Sequence, residues 1–179
     1  MDGLDLTDAE RGHLRRCVEL AGQALAAGDE PFGSVLVDAD GSRLVEERNQ
    51  VLSTADPTRH PEFALARWAA EHLSEEDRTQ ATVYTSGEHC PMCAAAHGWV
   101  GLGRIVYVHS AQQHAGWLAD LGLPTGPVRP IPAGDVAPGV PVDGPVPELA
   151  EQMHRLHLQF HQQPPAQGAS APGPGASPG

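Results

Sequence analysis

The sequence contains no lysine: all eleven of its basic residues are arginine, set against 23 acidic ones, for a formal net charge of −12. Apart from the neighbours Arg15 and Arg16, the arginines are scattered singly, so no basic stripe is offered to a phosphate backbone, which argues against a nucleic-acid partner. Cysteine is scarce too. Three of them, Cys17, Cys90 and Cys93, cannot build a disulfide framework and leave one thiol over even if the close pair bonds, so a reducing compartment fits. No apolar run approaches the roughly 20 residues that a membrane-spanning helix needs. The opening "MDGLDLTDAERGHLRR" has neither a basic start nor an apolar signal region, so the expected compartment is the cytoplasm, with no membrane partner.

What is present reads as one folded domain over residues 1–163. The closing stretch 164–179, "PPAQGASAPGPGASPG", carries no charge and little to bury, and is expected to be a disordered tail. "TDAERGHLRRCVELAGQALAAG" opens on the capping-box pair Thr7 and Glu10, repeats Leu14, Val18, Ala21 and Leu25 at helical spacing, and stops at Gly28. "FGSVLVDADGSRLVEERN" reads as two short strands about a turn containing Asp-Gly. From residue 60 the order is helix, strand, helix, strand, helix, with Phe63, Ala66, Trp68 and Ala69 near one side of the first of these helices. Strands joined through helices pair in parallel and bury both faces, which predicts an α/β domain with a hairpin at one edge. Residues 123–145 are a long Pro- and Gly-rich connection with room for a strand at "PVRPI", and "PELAEQMHRLHLQFHQQ" closes the fold as a helix.

Chemistry concentrates in "TSGEHCPMC", residues 85–93. Cys90 and Cys93 stand at the start of a predicted helix, where backbone N–H groups and the helix dipole favour thiolate over thiol. By itself this pair admits a redox or a zinc reading. A second predicted helix start, "TRHPE", supplies His60 as a third ligand and places Glu62 two residues on. One imidazole and two thiolates leave the fourth corner of a tetrahedral zinc open, which is the catalytic rather than the structural pattern. A carboxylate beside that corner, not itself a ligand, suits a proton shuttle, and Glu62 is placed for it.

His60-Pro61-Glu62 followed by Cys90-Pro91-Met92-Cys93 resembles the H-x-E and C-x-x-C signature of the zinc-dependent cytidine deaminase superfamily. The nearest branch holds the guanine deaminases, yeast-type cytosine deaminases and tRNA adenosine deaminases. "PFGSVLVD", Asn49, "DPTRH", "YTSGEHCPMC" and "GLGRIVY" carry the resemblance in order, and it extends from about Leu14 to Phe160. The resemblance implies a three-layer α/β/α fold with a mixed central sheet, Zn2+ held by His60, Cys90 and Cys93, and Glu62 as the catalytic proton carrier. It further implies substrate contacts from Asn49 through its amide and from Phe32 and Gly33 lining the pocket, with Phe160 folding over its mouth. The family's usual Pro before the first cysteine is His89 here, a residue able to donate to substrate, to a neighbouring subunit or to water. Its usual Ala between His and Glu is Pro61, which suits a helix start.

The implied reaction is hydrolytic release of ammonia from a small aminated heterocycle, a guanine- or cytosine-type base or nucleoside. Deamination of adenosine in tRNA is the alternative, and a non-catalytic zinc module used in assembly is an alternative of another class. Glu88 is expected to hold the loop ahead of Cys90 through backbone hydrogen bonds. His154, His157 and His161 fall along one side of the last helix and invite a second metal site or a pH switch, although a solvated face is the simpler account. The helix after Cys93, with Trp99, offers apolar surface for a homodimer.

Overall fold

Residues 4–162 are described by a computed structural model. The tail expected from 164 onward lies outside these described residues. The capping box forms as expected. Thr7 Oγ1 accepts from the Glu10 backbone N–H while the Glu10 carboxylate accepts from the Thr7 N–H, and helix α1 runs Asp8–Ala26. The hairpin follows as β1, Gly33–Val37, and β2, Arg43–Arg48, with Gly41 at φ +84° in its turn, a conformation that favours glycine. A four-residue helix α2, Val51–Thr54, leads to α3, Pro61–His72, and the short α4, Glu75–Gln80. Strand β3, Thr82–Gly87, passes directly into α5, Pro91–Val100, and β4, Arg104–His109, into α6, Ala111–Asp120. The chain closes with α7, Ala133–Val136, a two-residue strand β5, Val142–Asp143, and α8, Pro147–Gln162.

The strands form one mixed sheet in the order β2-β1-β3-β4-β5, in which β1 pairs antiparallel with β2 and β3 while β3, β4 and β5 run parallel. Two expectations need correction. "PVRPI" is not a strand; the fifth strand comes later, at Val142, because Arg129 to Pro132 lie on the surface with no partner strand. The core stripe of α3 is Leu65, Ala66 and Ala69, while Phe63 and Trp68 are only half-buried.

Because side chains alternate along a strand, each face of the sheet collects its own core. Val35, Val37, Tyr84, Val106 and Val108 meet Leu14, Cys17 and Leu20 of α1 and Leu149 and Met153 of α8. On the opposite face Leu36 and Val83 meet Leu65 and Ala69 of α3, and Ile105 and Tyr107 meet Ala94 of α5 and Ala133 of α7. The result is the three-layer α/β/α arrangement. Among the described residues no helix is long and apolar enough to cross a membrane.

Candidate metal centre and active site

The layer of α3 and α5 brings two helix starts side by side. His60 is the N-cap of α3 and Cys90 the N-cap of α5; each is followed by a proline in the first turn, and neither uses its side chain to cap. Both side chains are therefore free to turn toward each other. Cys90 Sγ lies 3.5 Å from Cys93 Sγ and 3.7 Å from His60 Nδ1, and Cys93 Sγ lies 3.7 Å from the same nitrogen. A tetrahedral zinc with its usual bond lengths needs such donors roughly 3.6–3.8 Å apart, so the triangle fits the ion. Among the described residues these three are the only group of histidine, cysteine or acidic side chains whose donor atoms all lie within 4.8 Å of one another. The triad is thus not closed by a fourth side chain of those types, as a structural zinc site would be.

Without the ion the three groups share protons. The Cys93 thiol donates to Cys90 and, with help from His60, holds the Cys90 thiol down to about 4, while Cys90 raises His60 to about 9. Cys93 is correspondingly pushed well above its ordinary value, by Cys90 first and by burial second.

Glu62, in the first turn of α3, is 5 % exposed and stands outside the triad. Thr85 Oγ1 donates to Glu62 Oε1 at 3.0 Å, and Ser34 Oγ donates to Thr85 Oγ1 at 2.8 Å, so two buried hydroxyls from β1 and β3 orient the carboxylate. Burial pushes the Glu62 carboxyl above the usual range, and the neighbouring His60 pulls it part of the way back. Asn49 is buried at the end of β2: its backbone N–H donates to Phe32, and its side-chain Oδ1 accepts from the Val51 N–H at 2.9 Å. Asn49 thus caps the turn into α2 through its side-chain oxygen, and its amide nitrogen remains for a ligand.

Gly33 is placed differently from expectation. A Cβ there would come within 2.4 Å of Leu20 Cβ and 2.7 Å of the Cys17 carbonyl, so the missing side chain lets α1 seat on β1 instead of admitting a flat ring. Close approach at the site belongs to Gly87, where a Cβ would meet the rings of Phe32 at 2.8 Å and His109 at 3.0 Å. His89 is fully buried against His97 of α5, ring centroids 5.3 Å apart, with no hydrogen-bond partner on either nitrogen among the described residues. Phe160 pairs with His161; it is His157, one turn earlier, that meets Phe32 at 4.9 Å. The solvated-face reading of the last helix is overturned at this residue, since His157 is 2 % exposed. Glu88 does hold its loop, and more: its carboxylate accepts from the N–H groups of Ala111 and Ala133, both at 2.9 Å, tying the starts of α6 and α7 to the segment before Cys90. Sequence reasoning missed Thr85, His109 and Glu30, a carboxyl that burial pushes up against the pull of His60. The acidic pair Asp29-Glu30 ahead of Phe32 was the available signal for the last of these. Two surface clefts lie away from this site, one of them lined by Trp99, Leu102 and Val136 to Pro141.

A mixed sheet that presents His-x-Glu at one helix start and Cys-x-x-Cys at the next defines a zinc-dependent hydrolytic deaminase. Residues 8–109 match the family described as the cytidine and deoxycytidylate deaminase zinc-binding region, and the chain belongs to that family. Over 107 residues it is 36% identical to the guanine deaminase of Bacillus subtilis (strain 168), covering 58% of this chain and 68% of that protein. It is 34% identical over 116 residues to the tRNA-specific adenosine deaminase of Agrobacterium fabrum, covering 64% and 74% of the two chains. The solved guanine deaminase from Nitrosomonas europaea superposes with a TM-score of 0.67 at 22% identity, over 89% of this chain and 87% of that one, a likeness of fold.

Proposed function

We propose that the protein releases ammonia from a small guanine- or cytosine-type base or nucleoside, and that it works as a homodimer. The observation that carries this reading is the placement of Glu62. It is a buried carboxylate aimed by the Ser34–Thr85 hydroxyl pair, coupled to His60, yet no member of the donor triangle. His60, Cys90 and Cys93 would hold the zinc, whose Lewis acidity brings the ionisation of a water molecule near neutral pH. Glu62 takes the proton of the attacking water and passes it to the ring nitrogen beside the amino-bearing carbon. It then carries the second proton of that water to the amine, which departs as ammonia and leaves a carbonyl on the ring. A carboxyl raised toward neutrality by burial suits this two-way traffic. The amide nitrogen of Asn49 donates to the ring edge, and Phe32 walls the pocket.

A small substrate also accords with the surface charge. Seven of the arginines, Arg11, Arg16, Arg43, Arg48, Arg67, Arg104 and Arg155, are paired with carboxylates, which leaves little basic surface for a polynucleotide. Ammonia release by the zinc-loaded protein, measured across guanine, cytosine, adenine and their nucleosides, tests the reading. Turnover is expected on a guanine- or cytosine-type amine. Glu62→Ala is expected to keep its zinc and lose turnover by about 10²- to 10⁴-fold; an active zinc-loaded Glu62→Ala protein refutes the assignment, and the assembly-module alternative predicts metal with no ammonia at all.

A further inference from the structure

His109, His114 and His157 come from three elements, β4, α6 and α8, and meet in one group. Their ring centroids are 5.9 Å apart for His109 and His114, 5.3 Å for His109 and His157, and 4.6 Å for His114 and His157. One ring nitrogen of each, His109 Nδ1, His114 Nε2 and His157 Nε2, is buried with no hydrogen-bond partner among the described residues. Phe32 closes the group edge-on to His157, and Trp117 lies 4.8 Å from His109. The group stands next to the candidate site. His109 is the register partner of Gly87, and Gly87 is two residues beyond Thr85 on the strand face that carries the bond to Glu62. Phe32 and His109 both press on Gly87, so the position of Phe32 is set by Gly87 on one side and by the ring of His157 on the other.

We propose that His157 is a positioning residue for the reaction: from the last helix it holds Phe32 at the edge of the site, and it does so only while it and its two neighbouring imidazoles are uncharged. The proposal rests on the reading of Phe32 as a wall of the substrate pocket. The titratable groups that face His157 are His109 of β4, His114 of α6, and His154 and His161 of its own helix, all of them imidazoles. Of the carboxylates on the packed elements, Asp8 of α1 and Asp120 of α6 are exposed, Glu19 of α1 pairs with Arg16, and the rest are engaged elsewhere. Glu10 of α1 pairs with Arg104, Glu148 with Arg11, Glu151 with Arg155, and Glu88 takes two backbone N–H groups. A proton arriving in this group therefore finds, among the described residues, like charges and no counter-ion. Burial holds His109 down to about 3, His114 to about 4, and His157 well below the ordinary imidazole value. With pKa values depressed in the packed state, the arrangement is fully stable above about pH 6.5 and loses stability as pH falls below it, because the opened state binds protons that the packed state refuses. Three coupled rings make that loss steep. As the rings stand they do not form a second metal triad, since among the described residues only His60, Cys90 and Cys93 bring three donors together.

Hydrogen exchange on the zinc-loaded full chain, corrected for the intrinsic pH dependence of amide exchange, tests the device without any substrate. Opening of residues 147–162 is expected to rise about tenfold or more between about pH 7.5 and pH 5, while the buried stretch of α1 changes less than about threefold; His157→Phe, which refills the ring volume without a titratable nitrogen, is expected to remove the rise. With guanine as substrate, His157→Ala is expected to raise KM about tenfold at pH 7.5 with kcat held within about threefold, and His157→Phe to bring KM back and flatten its climb at acid pH. Unchanged exchange of α8 across that interval, an equal rise in His157→Phe, or an unaltered KM in a folded His157→Ala overturns the proposal. So does a second equivalent of bound zinc that His157→Phe loses. If His157→Ala does not fold, the two arms with His157→Phe decide. Absence of turnover in the unmodified protein strikes the deaminase reading instead, and the exchange experiment is indifferent to it.

Discussion

Thr85 Oγ1 accepts a hydrogen bond from Ser34 and donates one to Glu62, at 2.8 and 3.0 Å, all within the buried interior. A hydrogen bond to a charged group contributes about 1.5–3 kcal/mol, which converts to a rate effect of roughly 10- to 100-fold if it is needed to aim the carboxylate. Thr85→Val is therefore expected to lower kcat by about that factor with zinc content unchanged, and Thr85→Ser, which keeps the hydroxyl, to restore most of it. A full-rate Thr85→Val enzyme would mean that the hydroxyl pair is mere packing. At this scale the donor triangle, and Glu62 as a candidate beside it, could be read from the sequence because the pattern lies in short spacing: two cysteines three apart, and a glutamate two beyond a histidine. Thr85 and His109 could not, since their roles depend on which strand lies beside which. A threonine in β3 becomes Glu62's partner only once β3 is placed next to β1 and beneath α3. Gly33 was misread for a similar reason, because a sequence gives no sign of which face a glycine in a strand bares.

Two helix starts, each an N-cap ligand followed by proline, turn a pair of loops into a metal site, and their proton inventory yields a measurable prediction. In the metal-free protein at about pH 7.5, Cys90, held down to about 4, is already thiolate; His60, raised to about 9, carries a proton, and so does Cys93, pushed well above its usual range. Zinc requires all three deprotonated, so binding at that pH is expected to release about two protons, falling to about one once the solution passes the His60 value. Calorimetry in buffers of different ionisation enthalpy counts them. Release near zero would mean that His60 or Cys93 stays out of the coordination sphere. The long elements were readable from capping and periodicity: α1, the hairpin, and the alternation from α3 to α6. The four-residue helices α2 and α7 and the two-residue β5 were not, since pieces this short have no period and exist because neighbours hold them. The start of α7 is fixed by the Glu88 carboxylate, 45 residues away in sequence. The same distance effect hid His157, whose spacing with His154 and His161 was visible while Phe32, the end of β4 and the helix α6 that surround it were not.

At the scale of the whole molecule, charge and shape decide which partners are admitted. A net charge of −12, with most arginines already paired, predicts that tRNA is not retained on filters at physiological salt; tight binding that weakens steeply as salt rises would displace the small-molecule reading in favour of tRNA deamination. Apolar surface bears on the other proposed partner, a second copy of the chain. Trp99, at the end of α5, is 91 % exposed, and beside it runs a cleft lined by Leu102, Val136, Pro138, Val140 and Pro141. A tryptophan is costly to leave in water, and one standing beside an apolar cleft marks a contact surface. In a two-fold interface each such residue counts twice, so truncating it removes about 1.5–3 kcal/mol per copy and raises the dimer dissociation constant by roughly 10²- to 10⁴-fold. Sedimentation equilibrium is accordingly expected to find a dimer for the unmodified chain and a monomer at micromolar concentration for Trp99→Ser. A chain that stays monomeric with Trp99 intact, or a Trp99→Ser variant as dimeric as its parent, would move the interface off this helix. Because Cys93 and Trp99 share α5, loss of the dimer in Trp99→Ser should be read together with zinc content: retained zinc with lost assembly separates the outer end of that helix from its metal-binding start.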